Sequence, residues 1–288
     1  MKKQLAAKLE ARSEQFVQRR KIEEEKIIKK QQSMEKRKAE IVKVIATGKI
    51  VSREQTDDQE QIYYNVHLKY FIRQGGHFYL EEEIENRKAS FFKGAVFEDV
   101  ELPVIYPKES EEDPLIKESR NEQRAPFYYD RLKAVRYAER WWNDYNPAYK
   151  KFDVDCTNFI SQCLHQGGSP MRGMPNPSKG WWHRYRSWSY SWAVANSLKN
   201  YLQTSTIGLR AREVRDPMQL KLGDVICYDF QGDGRFDHNT IVTGKDAAGM
   251  PLVNAHTYNS RMRYWAYEDS SAYTPNIKYK MFTIVDDS

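Results

Sequence analysis

Asp155-Cys156-Thr157-Asn158 opens the stretch of this sequence whose residue types could do chemistry. Asp155 suits a helix N-cap and Gly167-Gly168 suits a stop, so the spacing predicts a helix from Cys156 to Gln166. Cys156, Phe159, Ile160 and Cys163 then share one buried stripe at i, i+3, i+4 and i+7. A cysteine in the first helical turn lies beside unpaired N–H groups and the positive end of the helix dipole. That setting lowers a thiol pKa and offers backbone donors to an oxyanion. Asp155 opposes the first effect unless its carboxylate is occupied in capping. Cys163 lies ~10.5 Å along the same helix, too far for a disulfide to Cys156. Cys163 and Cys227, the other two cysteines, read as core residues.

A nucleophilic thiol needs a base. Val225–Asp229 and His238–Gly244 read as neighbouring strands, and Leu252–Thr257 as a third. His238 begins the second of these. By period two, Leu252, Asn254 and His256 share a face of the third. If the Cys156 helix packs on this sheet, Cys156 and His238 can meet, with His256 or Asn254 orienting the imidazole. The loop Asp229–Asp237 resembles part of a calcium loop, but Gln231 and Thr240 stand where acidic ligands belong. The histidines lack zinc-ligand spacing. No metal or cofactor is therefore expected. Trp181, Trp182, Trp188 and Trp192 could line a cleft for sugar or peptide, or simply pack a loop.

The elements that must position these residues come from the rest of the chain. Its 288 residues have 40% hydrophobic and 13% aromatic content, enough for a packed core despite a mean hydropathy of −0.82. The net charge of +6 invites a nucleic-acid reading, but its location argues otherwise. Residues 1–43 hold 14 Lys and Arg against 7 Asp and Glu, whereas the remaining 245 hold 32 against 33. The basic segment 1–43 lacks Pro and Gly and reads as one long charged helix. Ile27, Met34 and Ile41 form a thin apolar stripe on it, and its basic face could contact a protein or a membrane surface. Glu23, Glu24 and Glu25 argue against nucleic acid. Residues 44–106 read as a small antiparallel β-rich module completed by the helix, with Gly75-Gly76 as a hairpin turn. Residues 107–126 form an acidic linker, and a second domain spans 127–288. It opens on a helix, 131–142, with Leu132, Val135, Ala138 and Trp142 on one stripe. No run of ~18 apolar residues suggests a membrane span, and no apolar stretch follows Met1-Lys2-Lys3 as in a secretory signal. A cytoplasmic location is the default expectation.

The run Asp155 to Gln162, Leu222-Gly223-Asp224-Val225, Asp237-His238 with its apolar strand, and His256-Thr257 together resemble a known family. It is the "putative amidase domain" family of Gram-positive bacteria, similar to papain-like cell-wall peptidases of the NlpC and CHAP types. The resemblance covers about residues 128–288. It implies an α+β, papain-like cysteine hydrolase domain, with the cysteine helix packed on an antiparallel sheet. Cys156 would be the nucleophile and His238 the base, acting on amide bonds of peptidoglycan peptides. The third residue is Asn254 or His256, and we favour His256. Asp155, Asn158, Trp181, Trp182 and Trp188 complete the candidate site as substrate-binding residues. The alternative is a non-catalytic papain-like module that binds cell-wall or protein peptides within an assembly.

Overall fold

The computed structural model describes residues 1–18, 24–103 and 126–288. The acidic linker expected over 107–126 lies outside the described residues, apart from Pro126. The chain divides into two compact units, 1–105 with 266–272 and 106–265 with 273–288. Among the described residues, no helix is long and apolar enough to cross a membrane.

In the first unit, helices α1 (Lys2–Val17) and α2 (Glu25–Lys36) precede four antiparallel strands. These are β1 (Ala39–Thr56), β2 (Gln59–Gln74), β3 (His77–Phe92) and β4 (Ala95–Glu101), paired in sequence order. The Gly75-Gly76 turn joins β2 to β3 with both φ angles positive, which glycine allows at little cost. Alternate residues of β2, from Ile62 to Ile72, are buried with Leu5, Leu9, Phe16, Ile27 and Met34. The single helix expected over 1–43 is not what forms. Gln18 and Glu24 are extended, and α2 stops at Lys36. Lys38 turns at φ 53°, and Ala39 to Lys43 already pair with β2. Helix propensity lost here to strand pairing by the β-branched Ile41, Val42, Val44 and Ile45.

Part of the basic character of this segment is turned inside the unit, while Lys2, Lys3, Lys8, Lys36, Lys38 and Lys43 face solvent. Beside its apolar core, β3 buries Glu81, Glu83, Glu85 and Arg87. Arg12 pairs with Glu24 and Glu85, and Lys26 with Glu83, Glu85 and Glu101. Lys30 is fully buried between Glu81 and Asp269 (2.9 Å) and lies over the Tyr70 ring. Burial acts against the charged Glu85, but Lys26, Arg12 and Arg87 outweigh it and hold that carboxyl well below the usual range.

The second unit is mixed α and β. Its helices are α3 (Arg131–Trp141), α4 (Cys156–Gln166), α5 (Tyr190–Ala193) and α6 (Ala195–Thr204). A two-residue hairpin pairs β5 (His183–Arg184) with β6 (Ser187–Trp188). The main strands are β7 (Arg210–Val214), β8 (Val225–Asp229), β9 (His238–Lys245), β10 (Pro251–Ala255), β11 (Ser260–Tyr264) and β12 (Lys278–Val285). They form an antiparallel array in the order β11-β10-β9-β8-β12-β7. The core joins Phe159, Ile160, Cys163 and Leu164 of α4 with Val225, Cys227, Ile241, Phe282 and Ile284 of the sheet. The helix α3 buries Ala134, Tyr137 and Ala138, whereas Leu132 is 60% exposed. The buried stripe shares Ala138 with the one expected from sequence and is displaced from it by about one residue, some 100° around the helix. Tyr137 can hydrogen-bond Gln162 of α4 (2.7 Å) while its ring packs, a choice open to Tyr and not to Leu.

Replacing Lys30 with Met would leave Glu81 and Asp269 buried without their cation. We expect a loss of roughly 3–5 kcal/mol in urea denaturation of the full chain. The exposed Lys36, paired with Glu268, should cost less than about 1 kcal/mol when changed to Met. Equal midpoints for wild type and Lys30→Met would refute this account of the ionic layer.

Candidate active site

Cys156 begins α4, as the sequence pattern predicts, and is 1% exposed. The surroundings of its thiol differ from expectation. Burial pushes the thiol above its ordinary pKa; the Asn239 backbone N–H and the Thr157 hydroxyl oppose this without reversing it, while the Asp155 charge adds to it. Desolvation of a thiolate thus outweighs the helix terminus, and the resting form is the thiol.

Asp155 occupies the N-cap position but does not cap the helix with its side chain. Its Oδ1 accepts from the Phe152 N–H (2.9 Å) and from Asn158 Nδ2 (2.9 Å). Its Oδ2 bonds His256 Nδ1 (2.9 Å). His256 Nε2 meets the Trp141 carbonyl at 2.7 Å. A carbonyl only accepts, so Nε2 carries a hydrogen and donates it. The His256 ring lies flat on Phe159, with centroids 4.0 Å apart and planes at 9°. Both ring nitrogens and one ring face are therefore committed to holding the end of α3 and the start of α4 together.

Thr257, which follows β10, adds an element that the spacing of catalytic residue types did not reveal. Its hydroxyl oxygen accepts from the N–H groups of both Asp155 (3.0 Å) and Cys156 (3.1 Å). Two donors at the helix terminus thus converge on one oxygen beside the thiol. The Cys156 N–H, expected to be open for an oxyanion, is engaged here. Thr257 holds φ at 81°, a strained value for a β-branched residue. Its position directly after His256 was visible in sequence, but the positive φ that turns its hydroxyl toward the helix was not.

His238 starts β9 opposite Tyr228 of β8, while Asn239 stands opposite Cys227. Side chains alternate along a strand. Asn239 faces α4, where its Nδ2 bonds the Thr157 hydroxyl (3.0 Å). The His238 ring is accordingly on the other face, against Tyr228 and Phe230 with centroids 5.7 and 6.2 Å away. Neither contact is with the Cys156 sulfur. Burial and the Arg263 charge lower the His238 pKa to about 3, so the ring is neutral at physiological pH. Asn254 accepts from the Thr243 hydroxyl (2.7 Å) and the Met262 N–H (2.8 Å) and donates to Glu139 (2.8 Å). Through these bonds, Asn254 and His256 serve β11, α3 and α4 rather than the imidazole of His238. Period two placed them together, but a register irregularity between Val253 and Ala255 interrupts that alternation.

Of the residues expected to touch substrate, most are interior. Asn158 spends its amide on the Lys150 carbonyl, Asp155 and Trp192. Trp181 bonds Ser161, and Trp182 bonds the carbonyls of Asn176 and Lys179; both indoles are buried. Only Trp188 is partly exposed, edge-to-face with Phe152 (4.8 Å). In the Asp229–Asp237 loop, the Asp229 carboxylate accepts from Gly232, Asp233 and Gly234 N–H groups, so the loop's own backbone fills it. Among the described residues, no group of three or more His, Cys, Asp or Glu is placed to hold a metal ion.

Comparison with known proteins agrees with the region in which this site lies. The chain is 50% identical over 267 residues to "Uncharacterized protein YhbB" of Bacillus subtilis, covering 90% of this chain and 86% of that protein. It is 32% identical over 141 residues to "Uncharacterized protein YjcM" of the same organism, covering 46% of this chain and 31% of that one. No solved structure matches. The family model described as "Putative amidase domain" matches residues 128–282, which include α4, Thr257 and the strands around them. That match spans more than half of the sequence, and the chain belongs to this amidase-domain family.

Proposed function

We propose that this protein is a cysteine-dependent amide hydrolase with Cys156 as nucleophile, built on a papain-like arrangement of helix and antiparallel sheet. The observation that carries this reading is the pair of N–H groups from Asp155 and Cys156, aimed at one oxygen beside the thiol. Two backbone donors on one oxygen are what the oxyanion of a tetrahedral intermediate requires. In the resting protein the Thr257 hydroxyl takes that place, and a substrate carbonyl replaces it.

In this mechanism the Cys156 sulfur forms a bond to the carbonyl carbon, and the thiol proton passes to His238. His238 is the first residue of β9, and bringing its neutral ring to the sulfur requires the start of that strand to rearrange so that the ring leaves the Tyr228 face for the α4 side. Collapse of the intermediate breaks the C–N bond, and His238 gives the proton to the departing amine. Water then hydrolyses the thioester and restores the thiol. His256 and Asp155 are positioning residues that hold the helix start. The substrate class we assign is amide bonds of bacterial cell-wall peptides. Membership of an amidase-domain family and relatives in Bacillus subtilis support that assignment.

Two measurements test the reading. Digestion of muropeptides followed by mass spectrometry should show new amine ends with wild type, reduced by at least about 10³-fold in Cys156→Ala, the scale of losing a nucleophile. Identical profiles for both proteins would leave a peptide-binding module instead. Alkylation by iodoacetamide tests the state of the thiol. All three thiols lie above their ordinary values because of burial. Labelling of the free protein should therefore be slow at neutral pH and should accelerate only above ~8.5, the unperturbed thiol pKa. Rapid labelling of Cys156 near pH 6 would contradict the buried-thiol description.

A further inference from the structure

The loop that leads into Cys156 and the β5–β6 hairpin present an unbalanced set of charges. Residues 142–154 and 183–188 expose Lys150, Lys151, Arg184 and Arg186 against two carboxylates, Asp144 and Asp153. Among the described residues, none of the four cations is in an ion pair.

The two lysines are held over aromatic rings rather than left on free tethers. The Lys150 ammonium lies 5.1 Å from the Trp188 ring centroid and 5.6 Å from that of Phe152. The Lys151 ammonium lies 4.0 Å from the centre of Tyr145. Cation–π contact fixes each head group while its outer side remains in water. The strip is also tied to the candidate site. Tyr145 packs edge-on against His256 (5.0 Å), the Phe152 N–H donates to Asp155, and the Lys150 carbonyl accepts from Asn158. The strip is therefore joined, through Tyr145, Phe152 and the Lys150 backbone, to the buried residues that hold the start of α4.

We infer that this strip is the recognition surface for a peptide bearing carboxylates, and that it selects acidic peptides over their amidated counterparts. This inference rests on the reading of the Cys156 region as the substrate site. A carboxylate pairs with ammonium and guanidinium donors at charge-assisted strength. Nucleic acid fits less well. The Phe152 and Tyr145 rings carry lysine ammoniums, and Trp188 is taken by Lys150 and the Phe152 edge, so these rings offer no open platform for stacked bases.

The test uses full-length Cys156→Ala, which binds without turnover, and isothermal titration calorimetry at low ionic strength. The probes are acetyl-Ala-Glu-Ala-Glu, its Gln-containing C-terminal amide, and an oligothymidylate. The acidic peptide should bind roughly tenfold more tightly than the amide, and that preference should shrink as salt is added. Adding Lys150→Gln and Lys151→Gln should bring the ratio below about twofold, with the melting temperature unchanged. Equal affinity for the two peptides, no binding of either, an unchanged ratio in the variant, or tighter binding of the oligothymidylate would each overturn the inference. Muropeptide digestion by wild type separates the two readings. An acidic preference without Cys156-dependent cleavage removes the hydrolase and keeps the surface, whereas cleavage without the preference does the reverse.

Discussion

The buried carboxylate of Asp155 is the constraint on which the site depends. It gathers the Phe152 N–H, the Asn158 amide and the His256 ring onto two oxygens. Through His256 the same network reaches the last residue of α3, and through Asn158 it reaches Trp192 and the Lys150 carbonyl. Four separate stretches of chain are thereby fixed around the first turn of α4. In a dry interior each of these polar groups would be costly if left unpaired, so the arrangement stands or falls as a unit. Using the carboxylate in this way leaves the helix N–H groups to Thr257, and the oxygen of that residue defines the candidate oxyanion position.

The thiol shows how two opposing effects are decided. A helix N-terminus favours a thiolate by at most ~2 kcal/mol, and only within the first turn. Complete burial acts in the other direction and can move a pKa by several units. In this protein burial prevails, and it also keeps the His238 imidazole neutral. The resting site is thus a pair of neutral groups. Charge separation between them would have to be driven by the oxyanion that forms during reaction.

In the first unit, electrostatics serves construction. The glutamates of β3 would be unsupportable beneath two helices without Arg12, Lys26 and Lys30. Three cations of the N-terminal segment thereby complement one strand internally, whereas Lys2, Lys3, Lys8, Lys36, Lys38 and Lys43 face solvent. The lysines of the loop before Cys156 are held differently, over the rings of Trp188, Phe152 and Tyr145.

Much of this protein could be read from one-dimensional patterns. Period and capping placed α4 to the residue, the Gly75-Gly76 turn followed from its need for positive φ, and Asp155-Cys156-Thr157-Asn158 with Asp237-His238 pointed to the family. These features are local, so sequence alone determines them. The tertiary structure decided what depends on distant partners. Strand pairing turned residues 39–43 from helix to strand, and burial made the thiol less acidic instead of more. Packing placed Trp181 and Trp182 in the core, and strand alternation set the His238 ring opposite to Asn239. The Thr257 hydroxyl reached α4 through a strained φ that no residue pattern encodes. Each of these outcomes turns on desolvation or on a contact with another element, from ten residues away for His238 and Tyr228 to 101 for Thr257 and Cys156, which spacing along a chain does not carry.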